Sequence, residues 1–152
     1  YIKSIEEKDL FNFFKEYVSK YKKPIDQTKE NMLLKSISFL KNKAKTLEDI
    51  WNNAQYIIND KIEIGSDDKK LIDDLSKRVI KDFINEYEKL TSFSREALEP
   101  IIKSLINKHK TNFKGVGQPL RIALVGSRFG PGLYDVILSL SKKEVIERLK
   151  KV

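Results

Sequence analysis

Apolar residues recur at three- and four-residue spacing along most of this chain, and that spacing predicts a succession of helices. Leu10, Phe13, Phe14, Tyr17, Val18 and Tyr21 form the first such face, with Ser4 and Glu7 as a capping box at its start and Pro24 at its end. Asp26 or Thr28 caps a second helix that gathers Leu33, Leu34, Ile37, Leu40 and Ala44 on one side. Thr46 and Asp49 cap a third. Its Leu47, Ile50, Trp51, Ala54, Ile57 and Ile58 fall at i, i+3, i+4, i+7, i+10 and i+11, an amphipathic stripe.

The pattern breaks over residues 59–68, which contain Gly65 and Ser66, and this is the predicted internal boundary. A long helix follows to about Leu90, with Leu71, Leu75, Val79, Phe83, Tyr87 and Leu90 inward. Ser94 caps the next, with Phe93 and Leu98 placed as a hydrophobic staple and Pro100 in its first two turns. Gly115 and Gly117 open a special segment. Residues 122–125 alone read as a short strand, but Pro119 fits the first turn of a helix that Gly126 stops, and no partner strand is evident. A short helix runs from Pro131 to about Leu140, and Ser141 with Glu144 caps a last one through Leu149. The predicted fold is all-α, two packed helical subdomains over residues 1–62 and 63–152.

Charge then changes the picture. The 152 residues carry a net charge of +8, and 34% charged with 40% apolar residues describes a soluble globular protein rather than a disordered tail. The charge is uneven: residues 1–90 hold 18 basic and 17 acidic side chains, residues 91–152 hold 12 and 5. No acid occurs from Pro100 to Tyr134. A balanced front and a basic back predict a polyanion on the C-terminal part, with Lys108, Lys110, Lys114, Arg128, Lys142 and Lys143 as its backbone contacts. No apolar run is long enough to cross a bilayer, no signal peptide is visible, and the absence of cysteine excludes disulfides and thiol chemistry and fits a reducing, cytoplasmic compartment.

Catalytic chemistry finds little to stand on. His109 is the one histidine, flanked by lysines, and reads as an exposed residue at a helix end. The acid pairs Glu6-Glu7, Asp67-Asp68 and Asp73-Asp74 lie near helix starts, where they offset the helix dipole. Gly126, Gly130 and Gly132 are not followed by the lysine and hydroxyl residue of a phosphate loop, and Gly115-Val116-Gly117 is no dinucleotide fingerprint. What stands out instead is the run from Gln118 to Tyr134, in which Arg121 and Arg128 accompany Phe129 and Tyr134 around a Gly/Pro-rich loop. Arginine reads phosphates and base edges, and aromatic faces stack unpaired bases, so this combination points to single-stranded RNA.

The run Pro119-Leu120-Arg121-Ile122-Ala123-Leu124-Val125-Gly126, followed by Gly130-Pro131-Gly132-Leu133-Tyr134, resembles the C-terminal anticodon-binding region of bacterial-type glutamyl-tRNA synthetases. Lys43-Ala44-Lys45-Thr46-Leu47 resembles an upstream motif of the same family, and the stretch from Lys142 to Leu149 resembles its final helix. The resemblance implies a two-part helical cage around the anticodon loop. It implies that Arg121, Pro131, Leu133 and Tyr134 line the pocket for the bases, that Gln118 and Gly130 stand beside them, and that Lys43 stands near the third base. Val125 replaces the family's usual threonine, Gly130 a polar loop residue, and Lys43 a common arginine, whose forked contact becomes a point charge.

The same resemblance implies a parent enzyme that joins glutamate to tRNA using ATP and Mg²⁺. The nucleotide-binding motifs of such enzymes need histidine pairs and a Lys-Met-Ser-Lys-Ser type loop, and neither occurs here. The chain begins with tyrosine, so it is expected to be a piece of a longer protein. It is also expected to be monomeric and to have no catalytic residue, cofactor or metal of its own. It would bind a glutamate acceptor tRNA, with the glutamine acceptor left open. The competing expectations are a helical protein–protein interaction module with an incidental basic surface, and an RNA-binding paralogue that reads another RNA.

Overall fold

The computed structural model describes residues 5–23, 25–59, 61–128 and 131–152. Among them the chain is all-α, with ten α-helices and no strand. It forms two compact units, Tyr1–Lys61 and Ile62–Val152. No described helix is long and apolar enough to cross a membrane.

In the first unit, α1 (Glu7–Tyr21) packs on α2 (Gln27–Leu40). Next, α3 (Leu47–Asn53) packs on α1, and α4 (Gln55–Ile58) packs on α2. Leu10, Phe14 and Val18 form the inward stripe of α1 as predicted, but Phe11 joins them while Phe13 is 52% and Tyr21 62% exposed. Phe11 and Phe13 flank that stripe on opposite sides, and periodicity alone does not choose between them. The helix starts at Glu7 behind Glu6, whose side chain makes no capping bond. The predicted Ser4 cap and the Pro24 stop lie outside the described residues. Asp26, rather than Thr28, caps α2, its Oδ1 accepting from the Thr28 N–H at 3.1 Å. The Thr46–Asp49 capping box forms in both directions. The predicted third helix is interrupted at Ala54, yet Ile50, Ala54 and Ile57 remain buried on one stripe. The Tyr17 hydroxyl donates to Glu48, which Lys22 also reaches at 3.1 Å, tying α1 to α3.

In the second unit, α5 (Ser66–Lys69) precedes α6 (Asp74–Glu88). Asp73 starts α6 by accepting from the Ser76 N–H at 2.8 Å, so Leu71 lies before the helix and is exposed. Val79, Phe83 and Tyr87 are buried along α6, and burial pushes the Tyr87 phenol up to about 12. Ser94 caps α7 (Arg95–Lys108), which continues through Pro100. Phe93, the predicted staple, sets its ring edge-on against Tyr87 at 5.8 Å.

The centre of this unit is α8 (Phe113–Val125), which packs against α6 and α7. Both α9 (Leu133–Ser139) and α10 (Lys142–Lys150) also pack on it. The helix at 122–125 is confirmed over the strand, but it starts earlier than Pro119: Asn112 caps it, accepting from the Gly115 N–H at 2.8 Å. Gly117 therefore lies inside a helix and not in a loop. A Cβ there would stand 3.3 Å from the Phe113 ring and 3.4 Å from Leu133, so the position is closely packed between the first turn of α8 and the start of α9. Gly126 closes α8 in the left-handed region at φ 90°, its N–H donating to the Ile122 carbonyl at 2.8 Å.

Candidate nucleic-acid interface

The turn that Gly126 makes brings the Arg128 carbonyl back to Arg121, whose Nη1 donates to it at 3.2 Å. The Nε of Arg121 is buried and has no hydrogen-bond partner among the described residues. Arg121 lines a cleft of about 480 Å³ together with Arg95, Glu99 and Ile106 of α7, Phe113 at the start of α8, and Leu133 and Tyr134 of α9. A buried donor left unpaired at the wall of a cleft is costly unless something enters to accept from it.

The aromatic side of the cleft is Tyr134. Its ring lies 6.2 Å from that of Phe113, and the Arg95 guanidinium sits 4.8 Å from its centroid. Arg95 is held in turn by Glu99, Nε to Oε1 at 3.0 Å. Burial raises the pKa of the Tyr134 hydroxyl, the charge of Glu99 raises it further, and Arg95 opposes them. The site thus offers two aromatic faces, two guanidinium groups and two carboxylates, Glu99 and Asp135, a set suited to a flat ligand with hydrogen-bonding edges. Among the described residues no three histidine, cysteine or acidic side chains come together to hold a metal.

Of the residues singled out in the sequence, Arg121, Leu133 and Tyr134 meet in this cleft. Pro131 is buried just before α9, and Gln118 is half-buried on α8 without lining the cleft. Gly130 and Phe129 lie outside the described residues, as does the side chain of Lys43, whose backbone ends a short 3₁₀ turn in the first unit. Sequence reasoning missed Arg95, Glu99 and Phe113. A signal existed for the first two: residues 95, 99, 102 and 106 form one stripe of α7, and its mixture of charge and apolar bulk departs from an ordinary solvated face.

The basic residues have varied surroundings. Lys110 and Lys114 are exposed, Lys110 with a left-handed φ of 51° after α7. Lys143 is exposed, 4.0 Å from Glu147, and Arg128 pairs with Asp68 at 3.3 Å. Lys108 lies 3.0 Å from Asp82. His109 is not the exposed residue expected: its side chain is 9% accessible and its Nε2 meets the same Asp82 oxygen at 2.8 Å. Burial pushes the Asp82 carboxyl upward, but Lys108 and His109 outweigh it and hold the group below the usual carboxylate range.

Lys142 has a structural task. Its Nζ donates to the carbonyls of Glu88 at 2.8 Å and Leu90 at 3.2 Å, at the C-terminal end of α6, and rests 5.5 Å above the Phe93 ring. A cation there satisfies carbonyls that the helix leaves open. Lys142→Ala is expected to destabilise the protein by about 1 kcal/mol, from the loss of these charge-assisted bonds. Thermal melting in the absence of RNA checks this, and an unchanged midpoint would leave Lys142 a surface charge.

Comparison with known proteins supplies independent findings. The family pattern described as an anticodon binding domain matches residues 9–152. The chain is similar to the glutamate–tRNA ligase of Pelagibacter ubique (strain HTCC1062), 53% identical over 149 residues that cover 98% of this chain and 32% of that protein. It is 28% identical to the glutamate–tRNA ligase of Thermodesulfovibrio yellowstonii over 155 residues, covering 100% of this chain and 33% of the relative. The crystal structure of a glutamate tRNA ligase from Elizabethkingia meningosepticum, in complex with its amino acid, shares the fold with a TM-score of 0.81 at 22% identity, over 99% of this chain and 30% of that one. The chain spans about a third of the length of the curated relatives it matches.

Proposed function

This chain belongs to the family of anticodon-binding domains, and from that premise we propose that it is the part of a glutamate–tRNA ligase that grips the anticodon loop of the glutamate acceptor tRNA. The parent would activate glutamate with ATP and Mg²⁺ and transfer it to the tRNA. The present residues would make no bond; they would add affinity and select the anticodon. In this reading the chain works as two subdomains dividing near residue 62, and the parent is cytoplasmic and monomeric.

The observation that carries the proposal is the cleft around Arg121. A guanidinium with a buried, unpartnered Nε lines the same cleft as the Tyr134 and Phe113 rings, within a stretch of sequence that has no acid. Anticodon bases are unstacked, and a splayed base both stacks on aromatic faces and accepts hydrogen bonds at its edge. Arg121, Leu133 and Tyr134 would hold the base, with Pro131, Gln118 and Gly130 alongside and Lys43 near the third base. Lys108, Lys110, Lys114, Arg128 and Lys143 would meet the phosphates, and Lys142 has one donor left for them beyond its two carbonyls.

The test is a titration of this chain against a glutamate anticodon stem-loop at two salt concentrations, beside a stem-loop whose triplet is unrelated. A preference for the glutamate loop that survives higher salt supports the reading. Equal binding to both would leave only a basic surface and favour an interaction module. Arg121→Ala is expected to cost ~1–3 kcal/mol of binding to the glutamate loop, the range for base-reading arginines, and to relax base preference. A weakened affinity with unchanged preference would remove Arg121 from the reading set.

A further inference from the structure

We propose that Glu99 is a base-reading residue of this cleft, and that it selects cytosine over uracil at one anticodon position. The inference rests on the reading of the cleft given above and adds a group that no motif of the sequence singled out. A carboxylate is out of place in a surface meant for phosphates, and Glu99 is the last acid before 35 residues that have none. Its Oε1 is anchored by Arg95 at 3.0 Å, and Arg95 in turn lies over the Tyr134 ring. Glu99 stands close enough to the Tyr134 hydroxyl to act on it through space. The carboxylate thus lines the same cleft as the ring on which a base would stack, with Asp135 as the one other acid among the described lining residues.

An ionised carboxylate only accepts hydrogen bonds. Cytosine and uracil have the same size and stack alike, but cytosine presents an amino donor at the 4-position where uracil presents a carbonyl acceptor. Glu99 would accept from the first and repel the second. Arg95 gives the carboxylate its orientation and offsets its charge while the cleft is empty. An ordinary exposed ion pair four residues apart on a helix would stabilise α7 slightly and read nothing.

The two roles separate in a binding series. Stem-loops carrying cytosine or uracil at each anticodon position in turn are titrated against the unaltered chain, Glu99→Gln and Glu96→Gln. Glu96 is exposed on the same helix and does not line the cleft, so its variant reports the bulk effect of removing one negative charge. The unaltered chain is expected to favour cytosine at one position by roughly tenfold, within the range of a single well-placed base contact. Glu99→Gln should bring that ratio close to one, because an amide both donates and accepts, while Glu96→Gln should strengthen binding to all loops alike and keep the ratio. A cytosine preference that persists in Glu99→Gln overturns this inference and leaves the anticodon reading standing. Equal binding of the unaltered chain to cognate and unrelated loops overturns the anticodon reading itself.

Discussion

Gly126→Ala is expected to destabilise the second unit by about 3 kcal/mol or more, the cost of forcing an L side chain into the left-handed region together with a backbone collision. Gly126 adopts φ 90°, and a Cβ placed there would lie 2.5 Å from the Glu63 carbonyl oxygen. That oxygen belongs to the backbone, so no rotamer change relieves the contact. The turn cannot simply open either, because the Gly126 N–H caps α8 and the next residues return the Arg128 carbonyl to Arg121. A urea titration of the purified chain measures the loss as a lower midpoint. Gly65→Ala is the control: its Cβ would meet Asp68 at an ordinary 3.8 Å, and the midpoint should move little. Equal midpoints for the two variants would show that the Gly126 turn relaxes freely. A variant that stays folded should also lose part of its base preference, since the carbonyl that steadies Arg121 moves with the turn.

Arg148→Ala is expected to cost ~3–5 kcal/mol, the range for breaking a buried ion pair by removing one partner. Arg148 is 3% exposed on α10. Its Nη1 donates to the Leu124 carbonyl at 2.7 Å and its Nη2 to Glu144 Oε1 at 3.0 Å. The first bond satisfies an end carbonyl of α8, and the second neutralises a carboxylate that is itself largely covered. Truncation therefore leaves two acceptors without these donors, and a void where α10 packs on α8. Adding Glu144→Gln to Arg148→Ala removes the stranded charge and should recover part of the loss. Guanidinium chloride unfolding of the single and double variants gives both numbers. A single-variant loss below about 1 kcal/mol, the worth of an exposed pair, would mean that the guanidinium is replaced there by water.

The parts of this protein that were legible in the sequence are those decided within a few residues. Thr46 with Asp49, Ser94, and Ser141 with Glu144 each mark a helix start in the structure, because an N-cap satisfies N–H groups only two or three residues away. The stripe Val79, Phe83, Tyr87 is buried as its spacing requires. The resemblance carried by residues 119–134 is upheld by the family match, since a motif of ordered residue types survives without knowledge of the fold. Local signals failed where two neighbours competed. Phe11 and Phe13 both border the apolar stripe of α1, and two glycines disguised the start of α8 at Phe113.

The sequence by itself determined the helical class, the helix starts at Asp26, Thr46, Ser94 and Ser141, the basic C-terminal part and the identity of Arg121, Leu133 and Tyr134 as candidates. Only the tertiary structure decided what each side chain meets across the chain. It joined His109 to Asp82, 27 residues earlier, and Lys142 to the end of α6, 54 residues earlier. It brought Arg95, Glu99 and Phe113 to the wall of the Arg121 cleft. Such contacts follow from how helices pack through their buried faces, and polar partners then settle wherever that packing leaves carbonyls and charges to be satisfied. No spacing rule along the chain records that outcome, because it depends on residues that are distant in sequence and adjacent only once the core has formed.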